Sequence, residues 1–172
     1  MISQKEELRR WVKLKRKEVN AREKYSNILA EKLKNTSEYK NSKNILIYYP
    51  LTDEIDLLSI TSDISKNFYL PKIEGKNLLC CPYKSGEKLC ISCCKTLEPI
   101  TDACDKNLID LAVIPALACD KNNYRLGYGG GFYDRFLQDF NGTKIVCLPK
   151  EFLLDTVHPE KHDIKVDKII SN

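Results

Sequence analysis

At 172 residues, with 42% hydrophobic and 30% charged side chains, the chain has the make-up of one ordinary globular domain with a proper core. No apolar run approaches the roughly 20 residues of a membrane span, which excludes an integral membrane helix. The net charge of +4 is uneven: residues 1–34 carry eleven Lys/Arg against five Glu, a net of +6, and the remainder is −2. A basic arm on a near-neutral body suits a polyanionic partner, either nucleic acid or a nucleoside triphosphate; the plainer alternative is a solvated helix surface.

In chain order, residues 3–18 read as a helix. Ser3 is its N-cap, Glu6 the capping-box partner, and Leu8, Trp11, Val12 and Val19 mark the apolar stripe. Because the start is polar and helical, no secretory signal is expected and the cytoplasm is the default location. Asn20 with Glu23 opens a second helix to about residue 33. Residues 44–49 are a continuous apolar run closed by Pro50, as a buried strand reads. Thr52 or Asp53 is placed to cap a helix through residue 65. Strands follow at 68–72, 78–83 and 89–97, with Ser85-Gly86 in the turn between the last two. Another buried strand lies within 108–118. A glycine-rich loop, a helix over 132–140, a strand over 143–148 and an edge strand over 166–170 complete the chain. Strands alternating with helices predict an α/β sandwich with a mainly parallel sheet, built as one unit over 1–172 with the basic helices of 1–34 packed on its body.

The eight cysteines include Cys90-x-x-Cys93, whose spacing suits zinc, with Cys80 and Cys81 as a second pair. The surrounding segments read as strands, where neighbours face opposite ways. Reduced thiols packed as small hydrophobes are the favoured reading.

Four of seven glycines fall within Arg125-Leu-Gly-Tyr-Gly-Gly-Gly-Phe-Tyr-Asp-Arg135. Glycines at 127, 129, 130 and 131 let backbone N–H groups converge on an anion. The following helix start, Arg125 and Arg135 add positive potential, and Asp134 offers a metal ligand. The loop lacks the Gly-Lys-Ser/Thr ending of a Walker A motif, and Phe132 stands where a dinucleotide fingerprint needs its third glycine. The alternative is a tight turn that packs a helix on the sheet. Asp53-Glu54-Ile55-Asp56 at a strand's carboxyl end is either a polar-ligand site or a set of first-turn acids. His158 and His162 with Asp163, and Asp167 nearby, are either a metal site or a surface loop; the His-x3-His spacing in a Pro-containing stretch favours the loop.

Together these segments resemble the 5-formyltetrahydrofolate cyclo-ligase family almost end to end. The matching pieces are Lys5-x-x-Leu8-Arg9; Tyr49-Pro50 with Asp53-Glu54-Ile55-Asp56; Leu70-Pro71-Lys72; Asp110-Leu-Ala-Val-Ile-Pro115; Asp120-x4-Arg125 through Arg135; and His162-Asp163 with Val166-Asp167. The resemblance implies a three-layer α/β/α sandwich with a Rossmann-like sheet. It implies ATP- and Mg2+-dependent closure of 5-formyltetrahydrofolate to 5,10-methenyltetrahydrofolate, through phosphorylation of the formyl oxygen and attack by N10, with ADP and phosphate released. It assigns ATP to Lys5, Arg9, Arg125, Gly127, Tyr128, Gly129, Gly130, Gly131, Phe132 and Tyr133. It assigns folate to Tyr49 and Glu54, Mg2+ to Asp134 and Asp167, and catalysis to Arg125 and Asp134; His162 and Asp163 are expected to shape the loop presenting Asp167. The folate is accepted with or without a polyglutamate tail, the protein is expected to be a monomer, and neither membrane nor nucleic acid is an expected partner.

Ala116, Cys119 and Asn123 depart from the family's usual glycine, aromatic and glycine. Asn is the non-glycine residue best suited to a left-handed turn, so the turn at 123 is expected to survive. A non-catalytic folate- or nucleotide-binding regulator is the competing reading. A nucleic-acid binder is disfavoured because Trp11, the arm's one large aromatic before Tyr25, is expected on the apolar stripe.

Overall fold

The computed structural model describes residues 2–92 and 96–172. Helices α1 (Gln4–Lys17), α2 (Arg22–Lys34) and α3 (Ser37–Asn41) precede strand β1 (Asn44–Leu46). Strands β2 (Asn67–Glu74) and β3 (Asn77–Tyr83) form an antiparallel hairpin, and β4 (Leu89–Ile91) and β5 (Leu97–Pro99) form a separate ribbon. Then come β6 (Leu111–Val113), β7 (Ala118–Asp120), β8 (Arg125–Leu126), α4 (Phe132–Leu137), β9 (Thr143–Cys147), β10 (Leu153–Leu154) and β11 (Lys168–Ile170). The main sheet has the order β11-β9-β6-β1-β2-β3, parallel throughout except at the β2–β3 edge. A small sheet, β10-β7-β8, stands beside it.

The apolar runs at 45–49, 111–114 and 145–148 are continuous because both faces of this sheet are covered. Ile45, Leu111, Val113, Ile145 and Cys147 join a core with Leu29 and Leu33 of α2 and Tyr39 of α3. Leu46, Ala112, Ile114 and Val146 join the other, with Val12 of α1 and Phe136 and Leu137 of α4. Helices on both faces of a largely parallel sheet make the expected α/β/α sandwich. Among the described residues, no helix is long and apolar enough to cross a membrane.

The chain runs from β1 to β2 on one side and returns to β6 on the other. Strand order therefore reverses between β1 and β6, which opens a crevice at their carboxyl ends.

Several elements differ from expectation. No α-helix spans 52–65; a turn leads into a 3-10 helix at Leu58–Ser62. The Asp56 carboxylate caps the Leu58 amide at 2.8 Å, and the Asp56 amide donates to Ser26 Oγ at 2.9 Å. These bonds fix a non-helical path. The predicted strand over 89–97 is instead the β4–β5 ribbon, and Cys93 of the zinc-like spacing lies outside the described residues. Cys80 and Cys81, on successive positions of β3, are both buried. Burial pushes the Cys80, Cys119 and Cys147 thiols up to about 12, as inert packing groups. Helix α2 is capped by Ala21 without a side-chain bond, not by Asn20.

Trp11 is 46% exposed, not part of the core stripe. The inward face of α1 consists instead of Lys5, Arg9, Val12 and Arg16, at helical spacing, so this helix turns three cations toward the body.

Gly142 shows how tightly β9 enters the sheet. A Cβ there would lie 2.7 Å from the carbonyl oxygens of both Ile109 and Asp110 and 2.5 Å from the Phe140 ring. Backbone cannot yield cheaply, so Gly142→Ala is expected to cost about 1–3 kcal/mol in chemical denaturation. A midpoint equal to that of the unmodified protein would show that this corner is looser than described.

Candidate functional site

The crevice is a cleft of about 540 Å³, within the range of sites that enclose a cofactor-sized ligand. Its first wall comes from the segment leaving β1. Tyr48 turns inward and donates to the Ile55 carbonyl at 2.8 Å, which leaves Tyr49 on the cleft side. The turn after Pro50 closes through the Leu51 amide, which donates to Glu54 Oε2 at 2.7 Å. Of the three acids here, only Glu54 lines the cleft; Asp53 faces Arg16 and Asp56 is a cap. Burial raises the Glu54 carboxyl above its ordinary range, opposed by the Leu51 amide and by the Arg16 charge.

The second wall is the glycine loop. It leaves the small sheet at β8, not β6 directly, yet it reaches the same crevice. Gly129 (φ 103°) and Gly131 (φ 67°) adopt backbone angles that side chains rarely take. At Gly127 a Cβ would sit 2.7 Å from Arg125 Nη1, so glycine makes room for the guanidinium. Helix α4 stops at Leu137, and its six residues give less dipole than the longer expected helix. Side-chain cations therefore carry more of the positive potential.

Arg125, with its side chain 3% exposed, donates from Nη2 to Asp134 Oδ1 at 2.9 Å. Among the described residues, two buried side-chain polar atoms have no hydrogen-bond partner: Arg125 Nε and the Tyr128 hydroxyl. Both residues line the cleft. The Tyr128 hydroxyl nonetheless faces the Glu54 carboxylate, so Arg125 Nε is the orphaned buried donor here, and such donors are rare.

Helix α1 closes the cleft from a third side. Arg9 Nε donates to the Gly127 carbonyl at 2.9 Å, and Lys5 is buried in an ion pair with Asp163. Burial alone would raise the Asp163 carboxyl, but the Lys5 bond, the Glu160 amide and the Lys5 charge outweigh it and hold it low. The remaining wall is Pro71, Ile73 and Leu78 of the hairpin, Leu97 and the buried Glu98 of β5, and Phe132 and Tyr133 of α4. The lining thus combines cations and donors with apolar surface and the carboxylate of Glu54.

The cleft gathers Lys5, Arg9, Tyr49, Glu54, Arg125, Gly127 to Tyr133, and Asp134. It does not gather Asp167. That residue precedes β11 at the amino end of the sheet, accepts from the Lys144 amide at 2.7 Å and pairs with Lys144 Nζ at 3.1 Å. The second aspartate of the cleft is Asp163, expected only to shape the loop. Arg135 also lies outside the cleft lining; it stacks on Phe132 and donates to the Lys76 and Gly130 carbonyls, tying the loop to the β2–β3 turn. Among the described residues no group of three or more His, Cys, Asp or Glu could hold a metal; the carboxylates along the cleft are Glu54, Glu98, Asp134, Glu160 and Asp163. Asn123 takes a left-handed φ of 66°, as its position required. The Asp120 carboxylate holds that turn by accepting from the Asn122 and Tyr124 amides. Ala116 and Cys119 are buried without disturbing the loop.

The 5-formyltetrahydrofolate cyclo-ligase family model matches residues 1–172. A mouse 5-formyltetrahydrofolate cyclo-ligase is 27% identical over 163 residues, covering 83% of this chain and 80% of that protein. One from Haemophilus influenzae is 30% identical over 121 residues, covering 65% of each. Among solved structures, the 5,10-methenyltetrahydrofolate synthetase of Aquifex aeolicus superposes with a TM-score of 0.88 at 29% identity, covering 98% of this chain and 90% of that one. The synthetase of Mycoplasma pneumoniae shares the fold, with a TM-score of 0.79 at 21% identity and 98% of each chain covered.

Proposed function

Because the chain belongs to the 5-formyltetrahydrofolate cyclo-ligase family, we propose that its cleft holds ATP against the glycine loop and 5-formyltetrahydrofolate against Glu54, and joins them in one ring closure. The observation that carries this reading is the mixed lining of a single cleft. Lys5, Arg9 and Arg125 share it with the glycine loop, Glu54 and Tyr49. The reading places the reaction in the cytoplasm and the protein as a monomer.

The formyl oxygen is a poor leaving group. Transfer of the γ-phosphoryl group to it releases ADP and gives an imidate phosphate. N10 then attacks the activated carbon, loses its proton and expels phosphate, leaving the methenyl bridge. Little covalent work falls to the protein; its task is alignment and stabilisation of charge. Arg125 and Lys5 offset the charge that spreads over the transferring group. Loop amides donate to phosphate oxygens, and the hairpin and ribbon exclude water from the imidate.

Asp134 and Asp163 fit a hard divalent cation that takes the rest of its oxygen ligands from phosphate and water, so these two are the residues to hold Mg2+. When bound, that ion neutralises phosphate charge. Lys5 already faces Asp163, which keeps a phosphate-directed cation and a carboxylate side by side.

The test is direct. Purified protein with ATP, Mg2+ and 5-formyltetrahydrofolate should release ADP and develop the near-ultraviolet absorbance of the methenyl product in equal amounts. Folded protein that does neither overturns the reading.

Glu54 gives a pH prediction. The pterin presents N–H donors, which an ionised carboxylate accepts through charge-assisted bonds on either oxygen, whereas a protonated one keeps only a neutral carbonyl acceptor. Burial places ionisation of Glu54 above the ordinary carboxylate range. The KM for folate should therefore fall as pH rises through that range, then level off. Glu54→Gln should raise KM about tenfold or more and flatten this step. Unchanged pH dependence in the variant would remove Glu54 from folate recognition.

A further inference from the structure

Arg16 lies two turns beyond Arg9 on the same inward face of α1, roughly 10 Å along the axis. It is 5% exposed. Its Nε and Nη2 donate to the Asp53 carbonyl at 3.1 and 2.9 Å, and its Nη1 donates to the Ala116 carbonyl at 2.9 Å. Its nearest carboxylate is Asp53 Oδ2, 3.6 Å from Nε. This buried charge is spent on main-chain oxygens from two segments that are far apart in sequence.

Both segments matter to the cleft. Asp53 immediately precedes Glu54 in the turn that the Leu51 amide closes. Ala116 lies in the link from β6 to β7 that feeds β8 and the glycine loop. We propose that Arg16 is a positioning residue: it seats the Glu54 turn against the cleft floor, so that α1 sets the spacing between the folate carboxylate and the phosphate-binding cations. This rests on the assignment of Glu54 to the folate.

The planar fork is what makes the residue hard to replace. One nitrogen edge serves Asp53 and the other terminal nitrogen serves Ala116, a geometry a lysine ammonium cannot reproduce. Solvent cannot substitute either. The void beneath Glu54, lined by Arg16, Tyr48, Ala116 and Phe152 among others, is about 10 Å³, at the lower bound for one water. Arg16 is also the cation nearest in effect to Glu54, while Asp53 and the Tyr128 and Tyr48 hydroxyls face the same carboxylate from their own segments. Arg16 therefore fixes the acid by geometry and by charge together, without itself reaching the ligands.

The experiment compares Arg16→Lys and Arg16→Met with the wild type. It measures KM for each substrate, kcat, melting temperature, and calorimetric binding of 5-formyltetrahydrofolate alone. The expected result is a KM and Kd for folate raised about tenfold in Arg16→Lys and further in Arg16→Met, with KM for ATP within about twofold. Should Arg16→Met not fold, Arg16→Lys decides the matter by itself. A fall in melting temperature with both folate constants unchanged, or folate and ATP constants that rise together, overturns the proposal in favour of a scaffold role. Wild-type protein that binds folate without turnover defeats the cyclo-ligase reading alone, whereas wild type that binds no folate defeats both.

Discussion

Asp134→Asn is expected to lower kcat by about 10³ or more and to leave the fold intact. Asp134 sits in the first turn of α4, directly after the glycine loop, with its side chain 23% exposed. Asparagine has the same size, and its carbonyl can still accept from Arg125 Nη2, so the local geometry survives. What disappears is the negative charge. In the proposed site Asp134 and Asp163 hold Mg2+, and one neutral amide oxygen is a much weaker ligand for a hard cation. The Mg2+ concentration needed for half-maximal rate should therefore rise along with the loss in kcat. Circular dichroism and melting temperature should stay near wild type. A variant that retains turnover within about tenfold at low Mg2+ would remove Asp134 from metal binding.

How much of this was legible in the sequence depends on which forces decide each part. The buried strands at 45–49, 111–114 and 145–148 were readable because a sheet covered on both faces demands apolar residues at every position, and the elements packed on it supply the same demand from either side. The glycine loop was readable because few arrangements need four close glycines. Helix α1 misled on its orientation. Lys5, Arg9 and Arg16 share the helical period of an apolar stripe, so spacing alone cannot say whether cations or Trp11 and Leu14 turn inward. With Trp11 exposed, the reason given against a nucleic-acid partner no longer holds; Lys5 and Arg9 face the cleft, while Arg10, Lys13, Lys15 and Lys17 are exposed.

The aspartate pair failed for a different reason. Asp163 and Asp167 are four residues apart in a stretch without regular periodicity. Their fates are set by distant bonds. The Val157 amide donates to Asp120 Oδ2 and the Val166 amide to the Asn123 carbonyl, which pins the 155–167 loop along the β7–β8 turn beside the glycine loop. Only then does the chain return to start β11, carrying Asp167 to the sheet's amino end and leaving Asp163 against Lys5. The missing helix at 52–65 has a similar origin, because Arg16 and Ser26 capture backbone groups that a helix would have used. Local preference proposes such elements, and tertiary hydrogen bonds override them.

Arg125→Met should destroy turnover without lowering the stability of the ligand-free protein. Arg125 is buried to 5% exposure, its Nε has no partner, and its charge meets one carboxylate and the face of Tyr133 at 5.7 Å. A buried ion with an unsatisfied donor carries a desolvation cost that a single partner does not fully repay. Methionine fills similar space without that cost. Asp134, the partner left behind, is partly exposed and can take up water. The melting temperature of the free protein should therefore hold or rise. Catalysis should fall by about 10³ to 10⁴ in kcat/KM, because in the proposed site the guanidinium offsets charge on the transferring phosphoryl group. The rise in melting temperature that saturating ATP and Mg2+ give the wild type should also shrink. Arg125→Lys separates charge from geometry, since it keeps the charge and loses the fork, and should fall between the two. A clear loss of stability in Arg125→Met with activity retained would invert the assignment and make Arg125 a structural residue.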